Sequence, residues 1–232
     1  MIINLTMKSY RIPTISLLAV TLSLLATPLL AKEKKAPTAK SASQYAAFDT
    51  HPTEKLTIAA DPCTDPKDCD FFRLPYVQHG FIPIRVIFTN DGDTTLSLDD
   101  VRIQFISADN EVIPAATLDE INRRLFTMKS VTGTKIPMPS PLPSITIHHP
   151  SVDKKITEDD DDFGFQGTVV NARSTLAGYL FYDITTVDNP PLKNASLYIK
   201  EIHTLDGKKQ FFSYTIPFNK WLAAQPTANA TR

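Results

Sequence analysis

Along residues 82–88, IPIRVIF, apolar positions recur every second residue. Ile82, Ile84, Val86 and Phe88 fall on one face of an extended chain, and Pro83, Arg85 and Ile87 fall on the other. The run stops at TNDGDT, so the period of two predicts a strand entering a turn. Val101, Ile103 and Phe105 alternate with Arg102 and Gln104 in the next run. With the short TLSL between them, the two runs are expected to pair as a meander. In TLAGYLFYDI, Leu176, Gly178, Leu180, Tyr182 and Ile184 share one face while Tyr179 and Phe181 occupy the other. Such a strand is predicted to be covered on both sides. LYIKEIHT and KQFFSYTIPF flank Leu205-Asp206-Gly207-Lys208, and Asp-Gly between strand-like runs predicts a hairpin.

The period changes once. Thr117-Leu118-Asp119-Glu120 has a capping-box pattern, and Leu118, Ile121, Asn122 and Leu125 continue at helical spacing, which predicts a helix ending near Phe126. The stretch from there to Pro150 contains IPMPSPLPS, whose four prolines exclude helix and central strand. A long extended surface loop is expected. Seven or so short strands, one helical excursion and many prolines predict an all-β fold, an immunoglobulin-like antiparallel β-sandwich over residues 48–223.

The ends of the chain have a different composition. Lys8 and Arg11 precede an apolar run from Ile15 to Ala26, followed by Thr27-Pro28-Leu29-Leu30-Ala31. This layout reads as a signal peptide over residues 1–31, with Met7 a possible start. An uncleaved anchor is the alternative, although the run is shorter than the roughly 18–20 residues of a spanning helix. Residues 32–47 read as a flexible tether and 224–232 as a disordered tail. Loss of residues 1–31 removes two basic side chains, so 24 basic residues become 22 against 25 acidic, a net charge of −3. A chain so near neutrality has no counterion-release footprint, which argues against nucleic acid as a partner. No segment other than the N-terminal one is apolar enough to span a membrane, so no stable span is expected after signal cleavage. The two cysteines, Cys63 and Cys69, lie in PCTDPKDCD. Their spacing among turn-forming Pro and Asp residues predicts one local disulfide, which is too local to join two sheets.

At FFRLPYVQHGFIPIRVIFTNDGDTTLSL, STLAGYLFYDI and TLDGKKQFFSYTIPFNKWL, the chain resembles a group of uncharacterised exported bacterial proteins with an immunoglobulin-like sandwich. The resemblance spans roughly residues 56–223 and its motifs are structural. It implies a bacterial envelope location and a sandwich fold, and no substrate or cofactor.

The candidate chemistry is concentrated at TEDDDDFGFQ, residues 157–166. Asp159, Asp160, Asp161 and Asp162 are candidate ligands for calcium, which takes six to eight oxygens. The EF-hand spacing nevertheless fails in both registers. From Asp159 the fifth position is Phe163 and the twelfth is Val170, and from Asp160 the Gly comes one place late. Adjacent like charges favour solvent, so the stretch reads first as an exposed turn, with Phe163 or Phe165, or both, turning inward. A divalent-cation site and a docking surface for a basic partner are the other readings. His51, His79, His148, His149 and His203 are scattered, Met128 and Met138 form no cluster with them, and no G-x-S-x-G or phosphate-cradling loop is present. Trp221 is the single tryptophan and is expected to dock onto the domain. The sequence thus points to an exported, non-enzymatic binding or accessory protein of the envelope without cofactor, with an envelope protein as its expected partner. The alternatives are a calcium-binding module centred on Asp159 to Asp162 and a small hydrolase.

Overall fold

The computed structural model describes residues 38–126, 133–136, 145–148 and 152–225. The expected signal peptide, Met128, Met138 and His149 lie outside them, as do most of the IPMPSPLPS stretch and the end of the tail. The described residues form thirteen strands: β1 (Phe48–His51), β2 (Leu56–Pro62), β3 (Phe81–Asn90), β4 (Leu96–Ser97), β5 (Arg102–Ile106), β6 (Val112–Pro114), β7 (Gly133–Ile136), β8 (Ile145–His148), β9 (Val169–Val170), β10 (Ser174–Asp183), β11 (Ser196–Lys200), β12 (His203–Thr204) and β13 (Tyr214–Pro217). Three α-helices accompany them: α1 (Leu118–Leu125), α2 (Lys154–Phe163) and α3 (Asn219–Ala224). The fold is all-β and antiparallel. Its main sheets run β1-β2-β3-β10 and β13-β11-β5-β6, with smaller sheets β12-β4-β9 and β7-β8.

The alternation in IPIRVIF is realised. Ile82, Ile84, Val86 and Phe88 join Ile58 of β2, Phe105 of β5, Leu197 of β11 and Ile216 of β13 in one cluster, so the inner faces of both main sheets share a core. The opposite face of β3 is covered as well, and every residue of that strand is buried. Antiparallel sheets commonly leave one face to solvent; here two covers occupy it. One is the segment containing the 3-10 helix Ala42–Gln44, where Ala42 packs on Ala59 and Ile87 and donates its N–H to Thr89 Oγ1 at 2.9 Å. Residues 42–47, whose composition reads as tether, therefore belong to the folded body. The other cover is a cap made of α1, α2 and the disulfide-closed arm after β2.

The main sheets are also tied at their margins. Thr215 N of β13 donates to the Asp49 carboxylate of β1 at 3.0 Å, and Ala116 N, just beyond β6, donates to Phe181 O of β10 at 2.7 Å. These bonds satisfy edge groups that would otherwise be free to pair with another chain.

Three further expectations are corrected. The runs at 82–88 and 101–105 do not form a meander: β3 pairs with β2 and β10, β5 pairs with β6 and β11, and β4 between them pairs with β9 and β12. Each run alternates correctly, but the link between them crosses from one main sheet to the other. The expected loop before Pro150 carries a two-stranded ladder, from Gly133↔His148 to Ile136↔Ile145. The third correction concerns the acidic run and follows below. The capping box of α1 forms with both reciprocal bonds, and β11 pairs with β13 around the Asp206-Gly207 turn, where Gly207 has φ +70°. No helix among the described residues is long and apolar enough to cross a membrane.

Candidate functional site

The arm begins at the disulfide. Cys63 N donates to Pro83 O at 2.8 Å, which fixes the first sulfur to the sheet. Asp65 caps the intervening turn by accepting from Lys67 N through its carboxylate and from Cys69 N through its carbonyl. The Cys63–Cys69 bond closes the ring with a Cα separation of 6.0 Å, as the spacing predicts. Phe71, Phe72, Arg73 and Tyr76 follow at once, and Gly80 ends the 3-10 helix Tyr76–His79 in the left-handed region at φ +83°.

The acidic run is not an exposed turn. It forms the C-terminal part of α2, which starts at Asp153, an N-cap accepting from Lys155 N. Ile156, Asp159 and Phe163 lie three and four residues apart, so helical spacing turns all three onto the face that meets the cap core. Asp159 is fully buried. Its carboxylate accepts Arg73 N at 2.9 and 3.0 Å, Arg73 Nη1 at 2.9 Å and Tyr76 O–H at 2.9 Å. A buried carboxylate persists only when it is paired and hydrogen-bonded, and this one is both. Arg73 also reaches Glu158 through Nε at 3.1 Å and Asp162 through Nη2. Carboxylates near a helix C-terminus oppose the macrodipole; the Arg73 guanidinium supplies the compensating positive charge.

The four aspartates thus point to different surroundings. Asp159 faces the core, Asp162 meets Arg73 from the exposed side, Asp160 accepts from Gln166 Nε2 at 2.8 Å, and Asp161 is exposed. Among the described residues no group of three or more His, Cys, Asp or Glu side chains could hold a metal ion. The cation shared by Asp159 and Asp162 is Arg73.

Phe163-Gly164-Phe165 straddles β10. The Phe163 ring enters the cap cluster, while Phe165 packs against the inter-sheet core with its ring 5.5 Å from that of Phe88. Phe165 N donates to Tyr179 O at 3.1 Å. A Cβ on Gly178 would stand 2.5 Å from Phe165 Cα, so glycine permits this close crossing.

Electrostatic effects follow the burial. Hydrogen bonds donated to Asp159, then to Asp162, hold the Arg73 guanidinium above its ordinary range. Burial, then the neighbouring Asp159, raises the Tyr76 phenol. Burial pushes the Tyr179 phenol up to about 12.

Two further polar clusters lie elsewhere. Glu54 is buried and accepts from Tyr214 O–H and Phe212 N at 3.0 Å each; His51 Nδ1 lies 2.9 Å from it and the His51 ring stacks on Tyr214 at 3.9 Å. Asp61 accepts from Trp221 Nε1 at 3.1 Å, and burial raises its pKa despite that bond and the Arg85 charge. Arg85, opposite Asp61 in the β2–β3 register, stands over the Tyr179 ring at 5.7 Å. Trp221 docks as expected. Apart from Arg85 Nε, which is buried without a hydrogen-bond partner among the described residues, the polar groups of these clusters hold elements together.

A cleft of about 210 Å³ beside the arm is lined by Cys69, Phe72, Arg73, Tyr76 and Pro83, and an apolar one of about 280 Å³ by Phe81, Ile184, Pro190, Leu192 and Trp221. Sequence reasoning missed Arg73, Tyr76 and Glu54. The available signal was the spacing of Ile156, Asp159 and Phe163, together with a lone Arg inside the aromatic stretch FFRLPY. No known protein family, curated protein or solved structure matches the chain.

Proposed function

We propose that this is an exported protein with an immunoglobulin-like β-sandwich that acts without catalysis, as a binding or accessory component of the bacterial envelope. The observation that carries the proposal is the Cys63–Cys69 disulfide, whose two residues belong to the cap cluster. Disulfides form and persist in oxidising compartments such as the periplasm, in keeping with the signal-like N-terminal layout. Two four-stranded antiparallel sheets with a common core support the sandwich reading. The use of buried Asp159 and Glu54 and half-buried Asp61 as structural ties supports a binding role over acid–base chemistry.

Fractionation with mass spectrometry of the native protein tests export. The expected product begins near Lys32, partitions with the envelope and has no alkylatable thiol. A full-length cytosolic chain with two free thiols would overturn the proposal. In-cell crosslinking is expected to join the mature chain to an envelope protein.

A further inference from the structure

The arm is the middle layer of the cap. The Phe72 ring lies 5.4 Å from Phe163 of α2 on one side and 5.2 and 5.4 Å from Tyr179 and Phe181 of β10 on the other. Arg73 and Tyr76, next along the arm, bind Asp159 of the same helix. Besides the main chain at Pro62–Cys63 and Gly80–Phe81, the base of this layer has one covalent tie, where Cys69 meets Cys63 beyond the end of β2. We propose that the Cys63–Cys69 disulfide is a redox latch for the cap: a dithiol reductant opens it, the arm at 64–76 loosens, and α2 separates from the aromatic outer face of β10.

The chemistry is ordinary exchange. The cleft beside the arm reaches Cys69. A reductant thiolate attacks Cys69 Sγ, the S–S bond breaks, and the Cys63 thiolate leaves and takes a proton. The second thiol of the reductant loses its proton and displaces Cys69, which leaves as a thiolate and is protonated in turn. The protein then carries two thiols and the reductant one disulfide. Opening uncovers Tyr179, Phe181 and Phe81, which the cap buries in the latched state. The inference holds whether or not the protein is exported.

Hydrogen exchange of the full chain, oxidised and after dithiothreitol, tests it. On reduction, amides of 71–76 and 154–165 are expected to exchange up to about fiftyfold faster, the factor set by releasing a seven-residue ring. Amides of β3 are expected to stay protected over the same period. Unchanged exchange in the cap would overturn the latch, and so would loss of protection in cap and β3 together at one common rate. The Cys63→Ser/Cys69→Ser double variant is expected to show the reduced pattern with or without dithiothreitol. If that variant does not fold, reduction of the native chain still decides.

Discussion

The core between the main sheets and the core beneath the cap are assembled by different means. Between the sheets, seven of twenty-five buried residues are aromatic, and the rest are mainly aliphatic side chains set by period-two alternation on strands from both sheets. Beneath the cap, six of ten are aromatic, two are the bonded cysteines, and the helix is held by one buried carboxylate. The first core distributes its stabilisation over many interchangeable contacts. The second depends on a few specific ties, so a single change there removes far more of what holds it. A sheet face can thus be covered by a unit whose integrity is adjustable while the sheet itself stays intact.

The largest expected effect lies in the inter-sheet core. Phe105 is fully buried between the rings of Tyr182 and Phe218, and Phe105→Ala should cost about 4 kcal/mol. Urea denaturation followed by far-UV circular dichroism is expected to show the whole fold weakened. Loss of the cap alone would break the comparison. Asp159→Ala leaves Arg73 N and Tyr76 O–H without their acceptor and should cost about 3 kcal/mol. Here the aromatic near-UV signal is expected to fall before the sheet signal.

A third test sharpens the comparison through pH. Tyr76 in the cap and Tyr182 and Tyr214 in the inter-sheet core are raised above the ordinary phenol value, in each case first by burial. Above pH 10 the unfolded chain releases these protons and the folded chain keeps them. Their contribution is therefore fully present below pH 10 and is lost as pH rises. Tyr76→Phe should reduce the alkaline slope by one proton, about 1 kcal/mol at pH 11. An unchanged slope would remove Tyr76 from the buried set. The smallest effect is expected at Asp161, which is exposed: Asp161→Asn should change stability by only a few tenths of a kcal/mol. Millimolar calcium is expected to leave the melting temperature unmoved, because mass action stabilises only a site that binds.

Much of the sheet structure is legible in the sequence, because alternation registers which face of a strand is buried. IPIRVIF and TLAGYLFYDI both reveal their faces, and the second reveals that both sides are covered. Alternation does not register pairing partners, so the sheet change between β3 and β5 is invisible. β2 escapes notice because nearly all of Leu56–Pro62 is buried, leaving little polar contrast in LTIAADP. The acidic helix is the instructive miss. Four consecutive aspartates suggest solvent, and the charge that makes the helix tenable comes from Arg73, 86 residues away in sequence. The local disulfide was readable from spacing alone; the role of the arm that it secures was not.

The claim that Asp159 is the structural anchor of the cap is tested most directly by a double-mutant cycle on Arg73→Met and Asp159→Asn, measured by urea denaturation. The structure predicts a coupling of about 2 kcal/mol, because either substitution alone abolishes the shared ion pair and leaves its partner unsatisfied. Effects that add to within about 0.4 kcal/mol would contradict it.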